Sequence, residues 1–255
     1  MRIPVSIICL FLTPVMAADL EREARWADEI VDAILVGEPA RLEAGEHKFL
    51  SIYTEPEDGN RERAVILMHG IGVHPDWPAV INPLREQLPE QGWATLSIQL
   101  PVLAADAQVD DYYPVFPEAW PRIDSAVRYL KAEGYRTIVI VAHSLGSQMA
   151  AGWLAQHSDA GVQGFIAIGM TGRTRDGHGS TLDYLAATNV PVLDLYGEAD
   201  LPSVLDSTEA RAGAAQRAGN PAYRQLEVSG AGHMFEGQDE ALLDAVVNWL
   251  SSIHR

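Results

Sequence analysis

The chain has 255 residues, 47% hydrophobic and 21% charged, enough to build the core of one α/β domain without covalent staples. A formal charge of −17, from 35 acids against 18 Lys and Arg, argues against nucleic acid or anionic membrane as a partner. The single cysteine, Cys9, excludes a disulfide framework and a cysteine metal site.

At the N-terminus, Met1-Arg2 precedes an uncharged run from Ile3 to Met16, and Ala17-Ala18-Asp19 follows. A basic residue, a short apolar stretch and small residues at the cut describe a secretory signal peptide. Cleavage is expected after Ala17, or after Ala18. This divides the chain into a signal peptide, 1–17, and a single domain, 18–255, exported to the periplasm or secreted. An uncleaved anchor is the alternative, but the run falls short of the ~20 apolar residues a span needs. Ile7-Ile8 before Cys9 lacks the small residues of a lipobox. Processing removes Arg2 and Cys9, so the mature chain carries −18 and no cysteine, with no stable membrane insertion.

Residues 19–36 predict a helix, with Leu20, Ala24, Ala27, Val31 and Ile34 on one face. Gly37 and Pro39 stop it. Residues 40–55 read as two short strands around Ala44-Gly45-Glu46, so the N-terminal helix and β-hairpin occupy 19–55 and a core 60–255 follows. Apolar, β-branched runs then recur at 64–68, 93–98, 137–142, 164–168, 190–196 and 223–228. The last alternates, as an edge strand does. Helical stretches lie between and after them at 78–90, 118–133, 145–157, 203–218 and 239–253. Steady alternation of this kind predicts an α/β fold with a doubly wound, mostly parallel sheet. Ligands then bind beyond the carboxyl ends of the strands.

The run Thr137 to Ala142 leads directly into His143-Ser144-Leu145-Gly146 and a helix. A serine on a sharp strand-to-helix turn projects its hydroxyl above the sheet, and the small residues Ala142 and Gly146 let the turn close. Ser144 is therefore the candidate nucleophile; Ala142 departs from the usual first glycine. The strand end Met68-His69-Gly70-Ile71-Gly72 is the second element. Its glycines let backbone N–H groups approach a developing oxyanion, so the N–H groups of Ile71 and Leu145 are the expected donors. His69 and His143 flank these turns as packed supports rather than bases.

A serine nucleophile needs an imidazole to take its proton and a carboxylate to orient that imidazole. Asp200 follows the 190–196 strand in Tyr196-Gly197-Glu198-Ala199-Asp200, with Glu198 as its rival. Asp194 lies inside that strand and reads as an unpaired buried charge. His233, in Gly230-Ala231-Gly232-His233, follows the last strand and completes the order serine, acid, histidine.

With these residues the sequence resembles the α/β-hydrolase superfamily over about residues 60–255. The resemblance implies a Ser144, Asp200 and His233 triad, with Ile71 and Leu145 at the oxyanion. The stretches Val65 to His74 and Leu96 to Pro101 are also similar to a bacterial branch, the DUF3530 group. The family's cap position, Gly169 to Asn189, is too short for a large lid. The 101–121 loop offers Tyr112, Tyr113 and Phe116 as pocket walls or as local packing. Arg173, Arg175 and His178 form a basic patch that either holds a substrate carboxylate or, the preferred reading, offsets surrounding charge. His74 and Asp76 alone make a poor metal site, so neither metal nor cofactor is expected. The function implied is a serine hydrolase, a carboxylesterase acting on small soluble esters through an acyl-Ser144 intermediate. An acyltransferase would use the same three groups. A non-catalytic binding or assembly protein on a hydrolase fold is the non-enzymatic alternative.

Overall fold

Each apolar run serves two cores. In the strand Arg63–Met68, Val65 and Leu67 pack with one cluster while Ala64, Ile66 and Met68 pack with the other. Successive side chains of a strand point to opposite faces, so a sheet covered on both sides requires such unbroken runs. The computed structural model describes residues 17–157, 161–173, 180–220 and 222–253. The expected signal segment up to Met16, and Arg175 and His178, lie outside the described residues.

Among the described residues the strands are β1 (Glu38–Ala44), β2 (His47–Thr54), β3 (Arg63–Met68), β4 (Ala94–Ile98), β5 (Thr137–His143), β6 (Gly164–Ile168), β7 (Val192–Ala199) and β8 (Tyr223–Gly232). They form one sheet in the order β1-β2-β4-β3-β5-β6-β7-β8. The β1–β2 and β2–β4 pairings are antiparallel and all the others parallel. The strand that alternates in sequence, β8, is at the sheet edge and half open to solvent. The α-helices are α1 (Leu20–Ala33), α2 (Ile81–Gln87), α3 (Val109–Tyr112), α4 (Phe116–Ala132), α5 (Leu145–Gln156), α6 (Thr181–Ala187), α7 (Pro202–Leu205), α8 (Thr208–Arg217) and α9 (Asp239–Ser252). No large extra domain is present among the described residues.

The helix expected over 203–218 is two helices. Between α7 and α8 the Ser207 hydroxyl donates to the carbonyls of Ser203 and Val204, competing with the helical ladder. That break positions Arg211, which corrects the reading of Asp194 as unpaired. Asp194 Oδ2 accepts from Arg211 Nε at 2.7 Å, Tyr223 OH at 2.5 Å and Gln225 Nε2 at 3.0 Å.

The 101–121 segment also differs from expectation. Its second half is helical through α3 and the start of α4, and Tyr112, Tyr113 and Phe116 belong to the hydrophobic core. Tyr112 accepts from the Leu103 N–H at 3.0 Å, and Tyr113 packs on Phe116 with ring centroids 5.1 Å apart. These aromatics are local packing, not pocket walls.

Candidate active site

The upper rim of the sheet is assembled by register. Pairing of β7 with β8 continues past a bulge to Ala199 opposite Gly232, so the next residues, Asp200 and His233, emerge side by side. Gly197 permits the bulge: a Cβ there would lie 2.3 Å from the Ala231 carbonyl oxygen. On the other side, β5 pairs with β6 up to His143 opposite Ile168, and the Ser144 N–H donates to the Ile168 carbonyl at 2.7 Å. Ser144 has φ 52° and ψ −120°, a left-handed conformation rare for a side-chain-bearing residue, and it immediately precedes α5. Gly146 is obligatory in this turn, because a Cβ there would meet the His69 carbonyl oxygen at 2.3 Å. Ala142 is fully buried between Met68 and Ala167, which shows its methyl group fits where glycine is usual.

Three side chains expected from sequence meet here. Asp200 Oδ1 lies 2.6 Å from His233 Nδ1, and His233 Nε2 lies 2.9 Å from Ser144 Oγ. A carboxylate only accepts, so Nδ1 carries the proton and Nε2 is free to accept from the serine hydroxyl. Burial acts to raise the Asp200 pKa. The hydrogen bond and charge of His233, with the N–H groups of Leu201 at 2.7 Å and Gly197 at 3.2 Å, outweigh it and lower the net value. The carboxylate therefore stays charged. Glu198 turns away: it is exposed and accepts from Ser229 Oγ at 2.8 Å and Gly230 N at 2.9 Å.

Ile71 and Leu145 line the cavity in which Ser144 and His233 stand. Among the described residues, neither backbone N–H donates to a protein acceptor. Leu145 opens α5, where the first N–H groups lack intrahelical partners and the helix dipole favours negative charge.

That cavity holds about 160 Å³. Ile71, Val109, Leu201 and Val204 supply apolar wall; Gln148, Thr171, Ser203 and Arg173 supply polar wall. Of the sequence-derived pocket residues only Arg173 lines it. Val109, Gln148, Thr171, Leu201, Ser203 and Val204 were missed, although Gln148 stands one helical turn after Ser144, a spacing that places it on the same face. Gly169 was missed too. It has φ 60°, and a Cβ on it would lie 2.9 Å from the His233 ring. A lone glycine directly ending a β-branched run was the available signal.

His69 and His143 are fully enclosed. The Leu100 N–H donates to His69 Nε2 at 2.9 Å, so Nδ1 donates to the Gly70 carbonyl at 2.8 Å. His143 Nε2 donates to the His233 carbonyl at 2.9 Å, bracing the loop that carries that ring. Burial is the main cause that pushes His69 down to about 3 and His143 down to about 4. Both are neutral when folded and regain an ordinary imidazole pKa near 6.5 when unfolded. The unfolded chain thus binds more protons below that value, and stability falls as pH drops from about 6.5 toward 4. The slope is at most ~1.4 kcal/mol per pH unit for each histidine. Thermal unfolding measured between about pH 7 and 5, above most carboxylate titration, should show a falling Tm. A flat profile would contradict neutral burial of this pair.

Comparison with solved structures shows the α/β-hydrolase fold. Est1E from Butyrivibrio proteoclasticus aligns with 85% of this chain and 98% of its own, at 17% identity and a TM-score of 0.64. Dienelactone hydrolase from Anabaena variabilis aligns over 85% and 97%, at 20% identity and 0.67. An esterase from Pyrococcus furiosus aligns over 85% and 92%, at 14% identity and 0.69. No curated protein sequence matches. A family model described as protein of unknown function, DUF3530, matches residues 14–118 and 118–252, nearly the whole chain. The chain belongs to the DUF3530 family, built on the α/β-hydrolase fold.

Proposed function

We propose that this protein is a serine hydrolase, a carboxylesterase acting on small soluble esters. The observation that carries the reading is the continuous relay from Asp200 through His233 to Ser144, at 2.6 and 2.9 Å, ending on a serine in strained backbone geometry. In the first half-reaction Ser144 Oγ attacks the ester carbonyl while His233 Nε2 takes its proton. Asp200 holds the ring in the required tautomer and offsets the imidazolium charge. The Ile71 and Leu145 N–H groups stabilise the oxyanion. The tetrahedral species collapses as His233 returns the proton to the leaving alkoxide, giving an acyl-Ser144 ester and free alcohol. Water then attacks the acyl group by the same route, releasing the acid and restoring Ser144. The structural neighbours named as an esterase and a dienelactone hydrolase support this choice of chemistry.

The cavity supports the substrate class. Its 160 Å³ falls below the roughly 300–1,000 Å³ of pockets that take drug-sized ligands. The segment between β6 and β7, with the short α6, offers too little chain for a large mobile lid. Turnover should therefore be fastest on acetate-to-butyrate esters of 4-nitrophenol and fall sharply with long acyl chains. Rates measured across the solubility limit should saturate smoothly. A jump when substrate aggregates, or a preference for palmitate, would refute the small-ester assignment.

We place the mature protein outside the cytoplasm, on the strength of the Met1 to Ala17 sequence. N-terminal sequencing of periplasmic extract should begin at Ala18 or Asp19; an intact Met1 in the membrane fraction would overturn this.

A further inference from the structure

The oxyanion turn is held at its near end, where His69 Nδ1 donates to the Gly70 carbonyl at 2.8 Å and so ties the peptide that bears the Ile71 N–H. It lies beyond the end of β3, and Ile71 sits between Gly70 and Gly72, the latter at φ 66°. Gly72 leaves the far end of the turn the freer of the two, with a conformation that glycine tolerates and other residues resist. A preorganised donor is one whose direction is fixed before charge develops. The near end has its tether in His69; the far end takes one from outside the turn.

We propose that Arg22, on the N-terminal helix α1, is the positioning residue that tethers this far end and with His69 sets the direction of the Ile71 N–H, an inference that rests on the serine-hydrolase reading above. Its guanidinium forks between two loops: Nη2 donates to the Gly72 carbonyl at 3.1 Å and Nη1 to the Leu103 carbonyl at 2.6 Å. The planar fork suits two acceptors at once, which a single ammonium cannot match. The guanidinium also lies over the Trp26 ring, 4.3 Å from its centroid, one turn further along α1. The second clamped loop is itself braced, because the Leu103 N–H donates to Tyr112 OH at 3.0 Å. That hydroxyl is the group nearest the open side of Gly72.

The helix that carries Arg22 is anchored deeply. Its neighbour Glu23 is buried and receives both terminal nitrogens of Arg122, at 2.8 and 3.0 Å. Glu23 also accepts from the Val102 N–H at 3.3 Å, and the Asp19 N–H donates to the Val102 carbonyl at 2.7 Å. At the helix start Asp19 caps the Arg22 N–H at 2.9 Å. Thus α1 is a rigid post fixed to the loop after β4, from which Arg22 reaches the turn after β3. Arg22 touches neither Ser144 nor His233, so its effect on chemistry runs through the orientation of the Ile71 peptide.

The test compares Arg22→Met, Arg22→Lys and Arg41→Met with the wild type. Arg41 pairs with Asp28 on α1 at 3.9 Å, in an exposed contact away from the turn. Each is assayed for kcat and KM on 4-nitrophenyl acetate, for Tm, and for amide hydrogen exchange over residues 70–73. Removing a whole oxyanion donor costs about 10²–10³ in kcat. Loosening one should cost about tenfold in Arg22→Met, with KM within about twofold and faster exchange at 70–73. Arg22→Lys, keeping one donor, should fall between, and Arg41→Met should match wild type. If Arg22→Met fails to fold, Arg22→Lys carries the same test. Unchanged kcat, or unchanged exchange at 70–73, overturns the proposal. Wild-type labelling of Ser144 by a fluorophosphonate separates the two readings: an unlabelled wild type defeats the hydrolase reading, and the exchange arm still judges the tether.

Discussion

Ser144→Ala is expected to lower ester turnover by about 10⁴-fold or more, the scale on which loss of a serine nucleophile acts. The fold should survive it. The Ser144 hydroxyl makes one side-chain hydrogen bond, to His233, while the backbone of the turn is held by the Ser144 N–H to the Ile168 carbonyl and by Gly146 against the His69 carbonyl. Alanine keeps that backbone and leaves no polar atom unpaired on its own side. Tm within a few degrees of wild type, together with lost kcat, is the expected pair of results. Wild-type kcat in a folded Ser144→Ala protein would remove Ser144 from the chemistry.

Asp200→Asn should cost nearly as much, about 10³–10⁴-fold in kcat, with a modest change in KM. The reason lies in proton placement. Asp200 accepts from His233 Nδ1–H, whereas the asparagine amide donates in that place and turns the ring to the tautomer with Nε2 protonated. That tautomer cannot take the Ser144 proton. Glu198→Gln should change kcat by less than about threefold, because Glu198 faces Ser229 and Gly230 rather than the imidazole. This carboxylate sits two residues from Asp200 on the same strand end and is the natural control. The opposite ranking of the two variants would move the acid to Glu198.

Most of the sheet was legible because buried parallel strands leave an unmistakable trace. The run Val65 to Met68 has no polar interruption, and both its faces are covered. Ser144, Asp200 and His233 were legible for a related reason: each lies on the loop at the carboxyl end of one of the expected strands, and those ends converge on one rim. The pocket was not. Tyr112, Tyr113 and Phe116 were read as loop residues, in a stretch that Pro117 and Pro121 interrupt. Pro117 sits in the first turn of α4, where a missing N–H costs nothing, and Pro121 is carried inside the helix. Asp194 looked unpaired because its partner Arg211 depends on a helix break that periodicity does not reveal. Arg22 had no sequence signature at all. Its partners are backbone carbonyls 50 and 81 residues away, and a carbonyl has no side-chain identity to read.

The most direct test of the central claim is covalent. Wild-type protein treated with a small fluorophosphonate should gain one adduct mass, lose ester turnover in step, and carry the phosphonyl group on the peptide containing Ser144. Ser144→Ala should gain none. An adduct on another residue, or a wild type that stays unlabelled while still hydrolysing esters, would contradict a Ser144 nucleophile.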